Sequence, residues 1–171
     1  MTRAIRFCAV RMLGLLLLTA IPAAADSARR ALPAQVPTAY ANECAGCHLA
    51  YPPSLLPAAS WQRLMQGLDR HFGSDASLDA STVRELSAWL QSHAATGRAA
   101  TERPPEDRIT RTAWFEREHR HIQPAVWRLP SVGSRANCAA CHLDAAQGRF
   151  SDERLRMPAG LSPAQRQTWR D

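Results

Sequence analysis

The stretch "CAACHL", Cys138 to Leu143, nearly repeats "CAGCHL", Cys44 to Leu49, which lies 94 positions earlier in a chain of 171 residues. Both copies have the pattern Cys-x-x-Cys-His, and together they contain four of the five cysteines. The residues that follow the two motifs differ, so the chain is not a plain duplication. The repeat therefore predicts two sites of the same chemistry in one small protein.

The fifth cysteine, Cys8, lies in an N-terminal segment typical of a secretory signal peptide. Residues 1–11 contain three arginines and no acid, and Ala23-Ala24-Ala25 ends the segment. The apolar run between them, residues 12–21, is shorter than the ~20 residues of a membrane span. We therefore predict a signal peptide at residues 1–25, export to the periplasm, and no stable membrane insertion after cleavage.

The charge of the chain does not favour a nucleic acid as partner. All 21 basic residues are arginine, and without residues 1–25 there are 18 arginines against 15 acids, a formal net charge of +3. The arginines are scattered, with no run longer than two. A small, dispersed positive charge does not predict nucleic-acid binding.

Three chemistries use closely spaced cysteines, and the sequence favours one of them. Local disulfides or a thioredoxin-like pair would follow a strand, but the flanks "TAYANE" and "SVGSRAN" lack runs of β-branched residues. A zinc site does not explain a histidine directly after the second cysteine in both copies. Cys-x-x-Cys-His is the signature of c-type haem attachment. We therefore predict two covalently bound haem c groups, held by Cys44 and Cys47 and by Cys138 and Cys141.

The histidines that close the motifs, His48 and His142, are the predicted proximal iron ligands. What fills the opposite axial position decides the function of a haem protein. His71 is one candidate for that position, because it lies seven residues after Leu64 and three after Leu68, on the apolar stripe of a predicted helix.

Four other residues compete for the distal positions. His93 ends a predicted helix, where a charged histidine is also favoured by the helix dipole. His119 and His121 can both face inward, and the pattern does not choose between them. Met157 would give His/Met ligation, although it follows His142 by only 15 residues.

Longer phrases of the sequence resemble a known family. The stretches "CAGCHLAYPPSLLPAASW", "LMQGLDRHFG", "SLDASTVRELSAWL", "WFEREH" and "ANCAACH" are similar to the small periplasmic dihaem cytochromes c of the DHC type, over residues 40–157. The resemblance implies a bis-His electron carrier in which His71 and His119 are the distal ligands. It also implies redox partners, namely a small oxygen-binding cytochrome of the SHP type and a membrane cytochrome b donor.

The spacing of apolar residues predicts a mostly α-helical fold. Helices are expected at residues 38–47, 60–72, 79–94, 112–121 and 162–169. The polar segment 96–108 contains Pro104-Pro105 and is predicted to link two haem domains, residues 26–100 and 101–171. The first domain resembles a class I cytochrome c with altered ligation, and the second is expected to be less regular.

Electron transfer without catalysis is the predicted function, because two protein ligands on each iron leave no open position for a substrate. A dihaem enzyme of the peroxidase or oxidase kind would keep one iron open. A gas sensor would release a distal histidine. The small dihaem subunit of periplasmic nitrate reductase is another bis-His carrier, but the phrase "AYPPSLLP" resembles the DHC type more closely.

Overall fold

The computed structural model describes residues 31–167 and residue 169. Its α-helices there are α1 (Thr38–Ala45), α2 (Ala58–Gln66), α3 (Ala80–Ser92), α4 (Ala113–Glu118) and α5 (Pro163–Gln167). The described residues contain no β-strand, so the prediction of a mostly α-helical fold is confirmed. No helix in this part of the chain is long and apolar enough to cross a membrane. The predicted signal peptide lies outside the described residues.

Short 3-10 helices supply much of the remaining regular structure. Within the described residues they are Pro53–Leu55, Leu68–Arg70, Gly97–Thr101, Pro105–Asp107, Ile109–Arg111, Val126–Arg128, Cys138–Ala140, Ala145–Gln147 and Asp152–Arg154. Isolated β-bridges join His71 to Ser74 and His142 to Leu155. Both bridges involve a candidate haem ligand.

Two helices begin at side-chain caps that the sequence makes recognisable. The Asp79 carboxylate accepts hydrogen bonds from the backbone N–H groups of Ser81 at 2.9 Å and Thr82 at 3.0 Å, which starts α3. The Thr112 hydroxyl oxygen accepts from the Phe115 N–H at 3.2 Å and starts α4. Aspartate and threonine are preferred N-cap residues because they satisfy backbone donors that the first turn leaves free.

The main hydrophobic core lies in the first half of the chain, where α2 packs against α3. Its buried members are Tyr40, Leu56, Trp61, Met65, Leu86, Leu90 and Ala94. The indole N–H of Trp61 donates to the Pro53 carbonyl at 2.7 Å, so this large side chain is buried without an unsatisfied donor. In the second half, buried apolar residues are spread over short helices and loops: Phe115, Val126, Val132, Ala140, Ala145 and Leu161.

The second predicted helix, 60–72, is wrong at both ends. In the structure α2 begins at Ala58, and the Ser60 hydroxyl bonds to a distant residue instead of capping the helix. The helix ends at Gln66, because the Gly67 N–H bonds to the Leu64 carbonyl three residues back and tightens the last turn. His71 therefore lies beyond α2 and not on its apolar stripe.

The C-terminal end of the predicted linker, residues 96–108, is hydrogen-bonded to α2. The Asp107 carboxylate accepts hydrogen bonds from the Ser60 hydroxyl at 2.7 Å and from Nε of Arg63 at 2.8 Å. Ser60 is fully buried, so this bond supplies the partner that its hydroxyl needs. The division into haem domains at residues 26–100 and 101–171 stays a prediction.

Two candidate haem sites

The first site brings together two histidines that flank α2 in sequence. His48 closes the motif that begins in the last turn of α1, and His71 follows the 3-10 helix Leu68–Arg70. Their ring centres are 6.1 Å apart, and their planes are inclined by 26°.

The second site has the same spacing with a different ring orientation. His119 follows the C-terminus of α4, and His142 follows the 3-10 helix Cys138–Ala140. Their ring centres are also 6.1 Å apart, with the planes inclined by 73°. The His142 N–H donates to the Cys138 carbonyl at 2.8 Å, so the motif itself folds into one turn that orients the histidine.

The spacing in both sites agrees with an iron between the rings. A metal–imidazole bond is about 2 Å long, so two rings that share one metal have their centres roughly 6 Å apart. Carbon atoms in direct contact are about 3.5–4.0 Å apart. Each pair at 6.1 Å is therefore too far apart for face-to-face packing and leaves room for one metal and the porphyrin plane around it.

At each site, Nδ1 of one histidine has a hydrogen bond to the backbone, and Nδ1 of the other has no partner. Nδ1 of His48 donates to the Leu49 carbonyl at 2.7 Å, and Nδ1 of His119 donates to the Phe115 carbonyl at 2.9 Å. A proton held on Nδ1 leaves the lone pair of Nε2 free for a metal, and such a bond makes the ligand more basic. Nδ1 of His71 and of His142 is buried without a hydrogen-bond partner.

Burial keeps three of these rings in the neutral form that binds metals. It lowers the pKa of His71, to which the neighbouring His48 and Arg108 also contribute. It also lowers the pKa of His142, with His119 as the second cause. For His119, burial lowers the pKa although its hydrogen bond to the Phe115 carbonyl acts in the opposite direction. Desolvation disfavours the charged imidazolium, so a neutral nitrogen is available at neutral pH.

No disulfide joins any of the four motif cysteines in the structure. Burial raises the pKa of the Cys44 and Cys138 thiols to about 11 and also raises that of Cys141. These thiols are therefore neutral at neutral pH, and a thioether, which is uncharged, suits the same surroundings. Within residues 31–167, no three His, Cys, Asp or Glu side chains form a cluster suited to a metal ion.

Aromatic residues surround the histidines of the second site. Phe115 stacks on His119 with ring centres 4.0 Å apart, and Trp127 lies 5.7 Å from the same ring. Phe150 meets His142 edge-on at 5.7 Å. Phe115 precedes His119 by one helical turn, a spacing visible in the sequence. Trp127 and Phe150 come from separate turns, and no local pattern indicates their positions.

Large apolar side chains lie exposed beside both sites. Phe72, adjacent to His71, is 45% exposed, and Leu143, adjacent to His142, is 48% exposed. Phe72 also adopts a left-handed backbone conformation, with φ of 50°, which is strained for a bulky residue and typical of functional sites. Exposed apolar side chains beside a candidate ligand suit the apolar face of a porphyrin. The residues present therefore fit two haems.

The structure places the competing candidates differently from the two pairs. His93 is the C-cap of α3, and its Nδ1 lies 2.9 Å from the Trp89 carbonyl. It lines a surface cavity together with Gln35 and Glu85. His121 is exposed in the turn after α4. Met157 is 40% exposed. His119, and not His121, is the residue that faces His142.

The fold and the sites together define a small helical protein with two candidate haem sites. The model of the dihaem cytochrome c family matches residues 40–150. The chain belongs to the dihaem cytochrome c family, whose members are electron-transfer haem proteins with two haem c groups. This confirms the family resemblance found in the sequence.

Solved structures of similar proteins support the same assignment. A dihaem cytochrome c from Shewanella baltica is 35% identical, with a TM-score of 0.62, over 72% of this chain and 96% of its own. The DHC protein purified from Rhodobacter sphaeroides is 38% identical, with a TM-score of 0.58, over 68% of this chain and 98% of its own. Comparison with curated protein sequences returned no match.

Proposed function

We propose that this protein is a periplasmic electron carrier, without enzymatic activity, in which both haems are covalently attached and bis-His ligated. His48 and His71 bind the first iron, and His119 and His142 bind the second. The observation that carries the proposal is that both histidine pairs have ring centres 6.1 Å apart. The thioether bonds come from Cys44 and Cys47 at the first haem and from Cys138 and Cys141 at the second.

When bound, the haems supply a one-electron iron couple. The chain contributes two fixed imidazoles at each site, so neither axial position is left for a substrate. Phe115 stacks on the face of the His119 ring, and Trp127 lies tilted against it. A site whose ligands keep their places in both oxidation states suits electron transfer, and His/His ligation gives a lower potential than His/Met ligation.

The proposed partners are a membrane cytochrome b as donor and a small oxygen-binding cytochrome of the SHP type as acceptor. The basis for this part is the family resemblance alone. Mixing the reduced protein with a purified SHP-type cytochrome, in a stopped-flow spectrometer, tests it directly. Oxidation of this protein that depends on the concentration of the partner supports the assignment, and no faster oxidation than in buffer contradicts it.

The ligation is tested by absorption spectra of the protein matured in a bacterial periplasm. The oxidised protein is expected to show two low-spin haems without a Met–iron band, and the reduced protein is expected not to change on addition of carbon monoxide. Haem that stays with the chain after denaturation would show covalent attachment. A carbon monoxide shift in half of the haem would instead favour an enzyme or a gas sensor.

Matched histidine variants identify the ligands. His71→Ala and His119→Ala are each expected to open one iron and to make about half of the haem bind carbon monoxide. His93→Ala and His121→Ala remove the same group from positions outside the two pairs and are expected to leave the spectrum unchanged. A carbon monoxide response in His121→Ala, together with none in His119→Ala, would refute the ligand assignment at the second haem.

A further inference from the structure

Tyr51 contacts both candidate haem sites at once. Its ring stacks on the imidazole of His48, with ring centres 5.1 Å apart and planes inclined by 28°. Its hydroxyl donates a hydrogen bond of 2.6 Å to the carbonyl of Ala136, which is 85 residues away in the chain. One half-buried side chain therefore connects a ligand of the first site to the loop that carries the second.

The accepting carbonyl belongs to the attachment turn of the second site. Ala136 lies two residues before Cys138, and its oxygen also accepts a hydrogen bond of 3.0 Å from the Cys138 N–H. The Cys138 sulfur lies 3.7 Å from the same oxygen. A continuous chain of contacts thus runs from the His48 ring to the Tyr51 ring, and from the Tyr51 hydroxyl through the Ala136 carbonyl to the Cys138 sulfur.

Tyr51 is held in place from its own side of the contact. The Tyr40 hydroxyl donates to the Tyr51 carbonyl, and Tyr40 is 2% exposed. Tyr51 is followed by the buried residues Pro52 and Pro53, whose rings restrict the backbone. The phenol is therefore presented from a rigid segment, and the second attachment loop docks on it.

We propose that Tyr51 is a positioning residue that fixes the position of the two haem sites relative to each other. It also provides the contact path for electron exchange between the two haems. The proposal rests on the proposed function, because it requires a haem at each histidine pair. In the exchange one electron moves between the irons, so that one changes from Fe(II) to Fe(III) as the other changes from Fe(III) to Fe(II). No bond is broken, and no further oxidant or reductant is needed.

Tyr51→Phe, in the protein carrying both haems, is the deciding variant, because it removes the hydroxyl and keeps the stacked ring. Ser131→Ala is the matched control. The Ser131 hydroxyl donates to the Ala159 carbonyl at 2.7 Å, so this variant also loses one hydroxyl–carbonyl bond, but within the second half of the chain. The exchange rate is measured by flash photoreduction of one haem and the approach to equilibrium with the other. A redox titration gives both midpoint potentials.

Tyr51→Phe is expected to slow the exchange, because it removes the hydroxyl contact with the Ala136 carbonyl that links the two sites. Ser131→Ala is expected to leave the rate unchanged. Tyr51→Leu, which also loses the stack on His48, is expected to be slower still and to shift the potential of the first haem. A rate in Tyr51→Phe equal to that of the wild type, or an equal fall in Ser131→Ala, would overturn the proposal.

The spectrum with carbon monoxide separates this result from failure of the proposed function. A wild-type protein that binds carbon monoxide would refute bis-His ligation, whatever the exchange rates are. Unchanged exchange in Tyr51→Phe, with wild-type spectra insensitive to carbon monoxide, would refute only the role of Tyr51. If Tyr51→Leu fails to retain haem, the comparison of the exchange rates of Tyr51→Phe and Ser131→Ala still tests the role of Tyr51.

Discussion

His119 lies flat against the ring of Phe115, with ring centres 4.0 Å apart and planes inclined by 17°. The same imidazole donates from Nδ1 to the Phe115 carbonyl at 2.9 Å. One residue therefore restrains the rotation of the ring and holds the proton on Nδ1, which leaves the lone pair on Nε2. This arrangement follows from the end of α4 at Glu118, which puts His119 in the C-cap position.

Replacing Phe115 with leucine is expected to loosen His119 as a ligand. Phe115 is 3% exposed, and its aromatic contacts are worth about 0.5–1.5 kcal/mol beyond their burial. Phe115→Leu should lower the melting temperature and let part of the second haem bind carbon monoxide, as measured by absorption. Phe150→Leu, which removes only an edge contact with His142, is the control and should respond less. An equal response in both variants would contradict a specific role for the stack.

Replacing His119 with methionine is expected to raise the midpoint potential of one haem, because thioether ligation favours the reduced iron. His121→Met is the control, since that side chain is exposed in the turn after α4. A redox titration of each variant measures the effect. Two unchanged potentials in His119→Met would show that His119 does not bind iron.

Asp107→Asn is expected to destabilise the protein by about 2 kcal/mol, since hydrogen bonds to charged groups are worth roughly 1.5–3 kcal/mol. The amide cannot accept the bonds of Ser60 and Arg63 in the same way, and Ser60 is fully buried. Asp69→Asn, at an exposed pair with Arg70, is the matched control and should change little. Thermal melts of the haem-loaded proteins compare the two.

The contribution of Asp107 should also depend on pH. The hydrogen bond from Arg63 lowers the pKa of Asp107 in the folded protein, with burial acting in the opposite direction. A depressed folded pKa stabilises the protein above the unfolded value of about 3.9 and loses that effect as the pH falls through the folded value. The difference in melting temperature between wild type and Asp107→Asn should therefore be full at neutral pH and shrink below about pH 4. A melting-temperature difference that grows as the pH falls would contradict a lowered pKa for Asp107.

Gly148→Ala is expected to disturb the packing between the two halves of the chain. Gly148 has φ of +68°, and an added Cβ would lie 2.8 Å from Leu32 and 3.1 Å from Pro52. Gly133→Ala, with φ of +75° and nothing within 4 Å, is the control for backbone strain alone. Strain should cost each variant about 1–2 kcal/mol, and the clash should cost Gly148→Ala more. Equal losses in urea unfolding would show that the contact yields without cost.

Sequence patterns predicted the helices well and their ends less well. The helix predicted at residues 79–94 starts within one residue of α3, whose N-cap in the structure is Asp79. The apolar stripe that ran through Gly67 extended α2 too far, since periodicity does not show where a helix tightens and stops. The helix predicted to start at residue 60 begins at Ala58, and the Ser60 hydroxyl bonds to Asp107, a partner 47 residues away that no local pattern reveals.

For the candidate haem ligands too, local sequence patterns predicted some residues and left others open. Cys-x-x-Cys-His predicted His48 and His142 as ligands, because all the residues of the haem-attachment motif lie within five consecutive positions. His71 and His119 were named as distal ligands, but the residues alone did not settle the choice between His119 and His121. Neither motif spacing nor hydrophobic pattern indicated that Tyr51 reaches Ala136, because that contact depends on how distant segments pack.

By itself, the sequence determined the number of haem sites, the helical character of the chain and its family, because these depend on local spacing and on recognisable phrases. Only the tertiary structure decided which histidines face each other: His71 with His48 and His119 with His142, each at 6.1 Å. It also brought Tyr51 onto the second attachment loop. These relationships arise when helices that end at particular residues pack on one another, and the packing of α2 against α3 is set by the whole core.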